Sequence, residues 1–424
     1  MTTAGPLRRV LILLENEPYP HDRRVRQEAL ALHEAGYEVT VVSPDAPQAP
    51  AAEEVVDGVR TLRYPAPPGG GGAVGYLREY VLSAIRMRRI LRRLRTENAA
   101  TGREFDAVIA CNPPDFLIHL ARPFARRGTG LIFDYHDPSP ELFEAMFHRR
   151  GLIHRALIAV ERSAQRTADV VMTVNEACAE LVRDRGGIPA DRAHVLVTCP
   201  DPRVFYPVAP RPELRRGKPH LVLWMGRMSE KENLPLLLDA AEYLVRDRGR
   251  ADIAFAIVGR GDVVPELQRE IERRGLTAAV ELPGHADDRQ LREWMSTADV
   301  CVSLDVHSPM NDRSLMVKVM EYMAMGRPIV QFPLHEMVRV CEDATLYARD
   351  GDFRDLADKV CSIIDDPELA RRLGDQTRRR SLEAGLTWKH QVPILLAAVE
   401  QAAARRRPGR ASAIEPGQPS AAKH

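Results

Sequence analysis

The sequence predicts an α/β protein of two tandem doubly wound sheets facing across a cleft. Three observations lead there. The chain has 424 residues, more than one ordinary core accommodates, and at about 100–200 residues per domain it divides into two. Short apolar runs alternate with helix-length amphipathic segments, the rhythm of a parallel sheet with helices on both faces. That rhythm breaks at 200–212, where five prolines stand in thirteen residues, and then starts again.

The first half reads in order. Residues 9–14 form a short apolar strand. Residues 22–35 place Val25, Ala29, Leu32 and Ala35 on one helical face, and Gly36 stops the helix. Strands follow at 38–43 and 59–64, separated by a Pro/Ala-rich loop at 46–56. Residues 65–72 form a flexible break ending in four glycines, and 76–97 a long helix. Then come a strand at 106–111, a helix at 116–126, a strand at 130–135, a helix at 152–168 and a strand at 170–174. A helix at 176–185 and a strand at 194–198 complete the half. Proline density without periodicity makes 200–212 a linker. Beyond it, strands at 221–225, 253–258, 280–282 and 300–304 alternate with helices at 234–246, 265–274 and 288–296. The rest reads as a helix after 311, strands at 328–332 and 345–347, and helices at 353–364 and about 390–405. The last twenty residues, rich in Arg, Pro, Ala and Ser, read as disordered.

Composition excludes several classes. With 45% hydrophobic and 28% charged residues, the chain is an ordinary globular protein. A net charge of +1 and few aromatics argue against a nucleic-acid binder. The apolar run at 10–14 is too short for a signal peptide, and no run approaches the roughly 18 residues of a membrane span. Six cysteines without metal-ligand spacing read as reduced packing residues of a cytoplasmic protein.

The most informative stretch runs from Asn311 to Val330. It reads as a loop feeding a helix, a glycine stop at Gly326 and an apolar strand. Asp312 or Ser314 is placed to cap the helix and leave its first backbone amides open. Lys318 and Glu321, three residues apart, share a face. Open amides and a cation suit a diphosphate, and a carboxylate suits ribose hydroxyls. The bland alternative is an ordinary capped helix with a solvated Lys–Glu pair.

Taken together, the motifs resemble the family 4 retaining glycosyltransferases of the two-Rossmann, GT-B type, from about residue 9 to 400. They include His21-Asp22 through Glu28, Asp134-Tyr-His136-Asp137 with Pro140-Glu141, and Arg166 through Glu176. Pro200 through Phe205, Gly226-Arg227, Val258-Gly259, Ala298-Asp299-Val300 and Glu321 through Gly326 follow in the family's order. The resemblance implies an acceptor domain at 1–205, a nucleotide-sugar domain at 213–388, a crossover helix at 389–405 returning to the first domain, and a disordered tail at 406–424. It implies sugar transfer from a nucleoside diphosphate to a hydroxyl acceptor with retention. Arg227 and Lys231 would hold the diphosphate and His136 would face the donor sugar. Gly226, Asp312, Ser314, Lys318 and Glu321 would line the donor site. Preorganised cations and helix amides would stabilise the departing diphosphate, so no metal or other cofactor is expected.

The chain departs from the family pattern in three places. Arg313 stands where a first glutamate is usual, and an arginine accepts no hydrogen bond from a sugar hydroxyl. Glu232 occupies the usual lysine position, with Lys231 one place early. Thr198-Cys199 replaces Asn-Gly. These departures keep open a non-catalytic scaffold that binds a nucleotide sugar or a partner enzyme. A nucleotide-sugar epimerase is a third reading, disfavoured by the motif order.

Other segments carry weaker signals. Glu15, Glu17, His21 and Asp22, after the first strand, are acceptor-side candidates, with exposed loop charges as the plain alternative. His136 has its own plain reading, a core histidine bonded to Asp137 or a backbone carbonyl. Asp350-Gly-Asp352 imitates a metal-binding carboxylate pair in a polar loop, and Gly259-Arg-Gly261 only a tight turn. Helix 76–97 mixes seven arginines with apolar residues, which suits either a scaffold helix or peripheral contact at the inner face of a membrane.

Overall fold

A computed structural model describes residues 8–45, 53–67, 72–147 and 150–406. The chain divides into two compact units, Met1–Leu196 with Val392–His424, and Val197–Gln391. The glycine break at 68–71, most of the expected loop at 46–52 and the tail at 407–424 lie outside the described residues.

The first unit runs β1 (Arg9–Leu13), α1 (Arg23–Glu34), β2 (Glu38–Pro44), β3 (Glu53–Val56), β4 (Val59–Tyr64) and α2 (Gly72–Thr101). It continues with β5 (Ala107–Cys111), α3 (Leu117–Ala125), β6 (Gly130–Tyr135), α4 (Ser139–Phe147), α5 (Leu152–Thr167), β7 (Val170–Thr173), α6 (Glu176–Gly186) and β8 (Ala193–Val195). Among the described residues its sheet is ordered β3-β4-β2-β1-β5-β6-β7-β8. Only the β3–β4 pair is antiparallel there.

The second unit runs β9 (His220–Arg227), α7 (Leu234–Glu242), β10 (Ile253–Arg260), α8 (Val264–Arg273), β11 (Val280–Gly284), α9 (Asp288–Thr297) and β12 (Val300–Val302). Then come α10 (Val317–Ala324), β13 (Ile329–Gln331), α11 (His335–Cys341), β14 (Leu346–Tyr347), α12 (Phe353–Ile364) and α13 (Pro367–Glu383). Its parallel sheet is ordered β11-β10-β9-β12-β13-β14. α14 (Trp388–Arg406) then carries the chain into the first unit, to which residues from Val392 belong.

The apolar pattern explains the layers. Val222 and Trp224 enter one core of the second unit, while Leu221, Leu223 and Met225 enter the core on the opposite face of β9. A strand covered on both faces reads as a continuous apolar run. In each sheet the direction of winding reverses at one place, between β1 and β5 and between β9 and β12. Doubly wound sheets bind ligands beyond the strand C-termini at such reversals.

Several expectations are corrected. Residues 53–56 are an edge strand rather than loop. α4, α11 and the long α13 were not foreseen. The proline-rich stretch is no free linker: it packs on the second unit. Phe205 is buried there, Arg292 Nη1 donates to Val204 O at 2.8 Å, and the Arg211 amide donates to Thr297 Oγ1 at 2.8 Å. α14 is held to the first unit by His194 Nε2 against Gln401 Oε1 at 2.7 Å and by Arg406 Nε donating to Asp169 Oδ2 at 2.8 Å. It lies so close to β6 that a Cβ on Gly130 would come within 2.4 Å of the Ala402 backbone.

Candidate functional site

In the second unit, β9 ends at Gly226-Arg227, paired in register with Gly259-Arg260 of β10. The glycines are steric requirements rather than a loose turn. A Cβ on Gly259, at φ +151, would fall 1.9 Å from Gly226 O, and one on Gly261 would fall 1.8 Å from Met228 O. Arg227 and Lys231 are exposed on the segment that leaves β9.

Beside this strand end lies a buried ionic cluster that the sequence did not announce. Lys318 Nζ, from α10, donates to Glu232 Oε2 at 2.5 Å and to Asp305 Oδ2 at 3.1 Å, and sits 5.0 Å over the Trp224 ring. Ser303 Oγ donates to Asp305 Oδ2 at 2.6 Å. Burial opposes the Lys318 charge, but Asp305 and Glu232 more than offset it and hold the ammonium above its usual range. The expectation that Lys318 meets the diphosphate is therefore corrected in one respect: its charge is already matched by two carboxylates. Its neighbour on the sequence motif, Glu321, is buried on α10.

The capping expectation is also corrected. α10 starts at Val317 after Met316, with no side-chain cap. Asp312 and Ser314 belong instead to the short turn Asn311–Arg313 and its end. Asp312 Oδ2 pairs with His307 Nδ1 at 2.8 Å and its Oδ1 accepts from the His335 amide, while Ser314 Oγ donates to Met310 O at 2.9 Å. Arg313 is exposed. The Asp350-Gly-Asp352 carboxylates have local tasks: Asp350 accepts from the His307 amide and Asp352 caps α12.

In the first unit the residues beyond β1, β5 and β6 form the other candidate site. Asp134, fully buried at the end of β6, accepts from Arg24 Nη2 at 2.6 Å and Nε at 3.1 Å, and its Oδ2 meets His136 Nε2 at 2.5 Å. Neither Asp137 nor a carbonyl is the partner of the His136 ring, as the plain reading had it. Asn112 fixes the backbone beside it: Oδ1 accepts from the His136 amide at 2.5 Å, and Nδ2 donates to Asp137 O at 2.6 Å. Burial would raise the Asp134 carboxyl, but Arg24 and His136 outweigh it and hold it low. Cys111, Asp134 and His136 place three ligand-type atoms within 4.8 Å of one another. The Arg24 cation on both Asp134 oxygens opposes a second positive charge there.

The acceptor-side candidates separate. Asp22 is the N-cap of α1, accepting from the Val25 amide at 2.9 Å. His21 is exposed and Glu17 half-buried. Glu15 is buried, accepts from Ser83 Oγ at 2.7 Å, and is pushed up to about 7, by burial first. Arg24, Glu28, Asn112, Glu232 and Asp305 went unnamed as site residues. Arg24 and Glu28 are four apart on one helix, a spacing that signals an ion pair.

Comparison with known proteins decides the family. Residues 22–203 match the family model described as Glycosyltransferase Family 4, and residues 219–366 match Glycosyl transferases group 1. The chain belongs to glycosyltransferase family 4.

This family 4 chain is 30% identical over 224 residues to the alpha-D-kanosaminyltransferase of Streptomyces kanamyceticus, covering 51% of the chain and 56% of that relative. It is 27% identical to the 2-deoxystreptamine N-acetyl-D-glucosaminyltransferase of Streptomyces fradiae, covering 62% and 66%. It is 23% identical to the MMP alpha-(1->4)-mannosyltransferase of Mycolicibacterium hassiacum, covering 66% and 67%. The matches thus span between about half and two thirds of those relatives' length. Among solved structures, sucrose-phosphate synthase from Thermosynechococcus elongatus superposes with a TM-score of 0.71 at 18% identity, over 92% of this chain and 97% of that one. Anabaena HepE in complex with UDP and glucose superposes at 0.65 and 17% identity, over 93% and 98%. These likenesses establish the GT-B fold.

Proposed function

We propose that this protein transfers a glycosyl group from a nucleoside-diphosphate sugar to a hydroxyl acceptor with retention of configuration. The observation that carries the reading is the strand reversal of the second unit. There Arg227 at the end of β9 and Lys231 just after it stand exposed, and α10 carries the buried Glu321 carboxylate. The two cations would hold the diphosphate and Glu321 the ribose hydroxyls, with Gly226 letting the backbone come close. When the sugar–phosphate bond breaks, negative charge grows on the diphosphate, and preorganised cations lower that barrier. The new glycosidic bond would form on the face that the diphosphate leaves, with the acceptor hydroxyl's proton passing to the departing diphosphate oxygen. The first unit would supply the acceptor site, with Glu15 a hydroxyl-positioning candidate, and His136 would contact the donor sugar. No metal is assigned to the chemistry. The acceptor class is a glycan, a lipid-linked sugar or a small molecule. The name of one relative, a 2-deoxystreptamine N-acetyl-D-glucosaminyltransferase, supports the last.

Incubating the protein with UDP-, GDP-, ADP- and dTDP-sugars and a panel of hydroxyl acceptors, with EDTA, tests this. The reading requires release of one diphosphate class and a product whose anomeric proton shows the donor's configuration by NMR. An inverted product, or transfer abolished by EDTA and restored by a metal, contradicts it.

We also place the protein in the cytoplasm, at the inner face of a membrane. All six cysteines are buried thiols, which suits a reducing compartment. No described helix is long and apolar enough to cross a membrane. α2 nevertheless exposes Leu77, Val81 and Ile85 in a line, flanked by exposed Arg78, Arg88 and Arg89. An exposed apolar line with basic flanks fits an anionic lipid surface. Sedimentation with anionic vesicles, lost in the Leu77→Glu/Val81→Glu variant, is the expected result. Equal sedimentation of both proteins contradicts it.

A further inference from the structure

Four ionisable groups of the first unit share one desolvated cluster. Arg24 and Glu28 come from successive turns of α1, Asp134 from β6, and His136 from just beyond it. Arg24 touches both carboxyls, with Nη2 2.6 Å from Asp134 Oδ1 and Nε 3.1 Å from Glu28 Oε1. Asp134 and Glu28 are fully buried and Arg24 almost so. His136 Nε2 closes the chain on Asp134 Oδ2. Neither oxygen of Glu28 receives a hydrogen bond. The other titratable groups acting on this cluster are Asp22 at the start of α1 and the Cys111 thiol of β5.

Charge neutrality limits how this cluster holds protons. Arg24 is always charged, and Asp134 is ionised against it. These two cancel. Glu28 and His136 then leave the cluster neutral only if they hold one proton between them. Either Glu28 is an acid beside a neutral imidazole, or it is a carboxylate beside an imidazolium. Adding or removing a proton leaves an uncompensated charge against the fully buried Glu28 and Asp134, which is costly, while the His136 ring at the edge of the cluster is 14% exposed.

We propose that Glu28 is a positioning residue that sets, through Asp134, the charge on His136, the two sharing a single proton. Because Nε2 is committed to Asp134, Nδ1 is the ring atom left for a ligand. It donates a hydrogen bond when the proton is on His136 and accepts one when the proton is on Glu28. An anionic ligand at the ring would draw the proton from Glu28 to His136 without uptake from solvent. The directions of the shifts agree. Burial and Asp134 raise Glu28, and Asp134 raises His136 against the effect of burial. The functional weight of the device rests on the proposed role of His136 toward the donor sugar.

The test is a pH titration of the full chain by NMR, following the imidazole nitrogens of His136 and the side-chain carboxyl of Glu28. In the native protein the two signals should titrate in step, which needs no variant to fold. In Glu28→Gln the proton affinity of His136 should fall by about tenfold or more, and Glu28→Asp should restore part of it. A folded Glu28→Gln protein with an unmoved His136 titration overturns the proposal, as does a Glu28 signal that stays flat while His136 titrates. Turnover of a nucleoside-diphosphate sugar separates this from the functional reading. If His136→Gln leaves turnover intact while the native signals still move together, the proton sharing stands and the assigned role of His136 falls.

Discussion

Lys318 and Glu232 are bound to each other at 2.5 Å, across 86 residues of sequence, with side chains each only 12% exposed. Together with Asp305 they form a cluster of two carboxylates and one ammonium beside the end of β9. Glu232 stands where the family resemblance implied a lysine. The cation that α10 brings to this place is therefore matched within the protein, and the proposed partners of the diphosphate are Arg227 and Lys231.

Removing that cation should be costly. Lys318→Ala leaves Glu232 and Asp305 facing each other with little water. Breaking a buried ion pair by deleting one partner destabilises by about 3–5 kcal/mol. Lys318→Met with Glu232→Gln should recover much of the loss. Urea unfolding of the native protein and the two variants checks this, and equal stability of the single and double variants would sink it.

Glu15 gives the protein a pH dependence of defined sign. Its folded value is raised from 4.5 to about 7, by burial more than the Ser83 hydrogen bond lowers it. Between those values the folded state keeps a proton that the unfolded chain has released. Stability contributed by this group is thus full below pH 4.5 and is lost as pH rises toward 7, a change of at most about 3 kcal/mol. Asp115 is buried and raised from 3.8 to about 7, first by burial, and acts in the same sense. Glu15→Gln should gain stability relative to the native protein between pH 5 and 7.5 in urea titrations. A gain of the same size at both pH values would contradict the assignment.

Gly130 tests the docking of α14. Alanine there would drive its Cβ into the Ala402 backbone, which cannot move aside as a flexible side chain can. Overpacking of this kind costs about 1–3 kcal/mol. Hydrogen exchange should quicken along α14 and at the start of β6, while β9 and β10 stay protected. Unchanged exchange in α14 would show that the helix is held by other contacts alone.

The sequence exposed the parallel-sheet rhythm because strands covered on both faces, such as β9 and β10, are apolar throughout. α13 escaped for the opposite reason. It buries Leu373, Gly374, Thr377 and Ser381, a face with a single large apolar residue, and Gly374 passes against Gly326 O. β3 escaped because an exposed edge strand with two glutamates looks like a loop. The helix motif at 311–330 was legible as strand, helix and glycine stop. Its caps were not, since Asp312 and Ser314 are drawn into a turn before the helix begins. The Arg24–Asp134 and Lys318–Glu232 pairs were invisible because their partners are 110 and 86 residues apart. Spacing rules reach only one or two helical turns.

The central claim is that the second unit binds a nucleoside diphosphate through Glu321 and the loop beyond β9. Calorimetric titration with UDP, GDP, ADP and dTDP in EDTA, on the native protein and on Glu321→Ala, tests it most directly. The account predicts that one base class binds without metal and that Glu321→Ala weakens it at least about tenfold, the loss of roughly 1.4 kcal/mol expected for a charge-assisted hydrogen bond pair. Equal affinity in a folded Glu321→Ala protein, or no binding of any diphosphate to the native one, would contradict it.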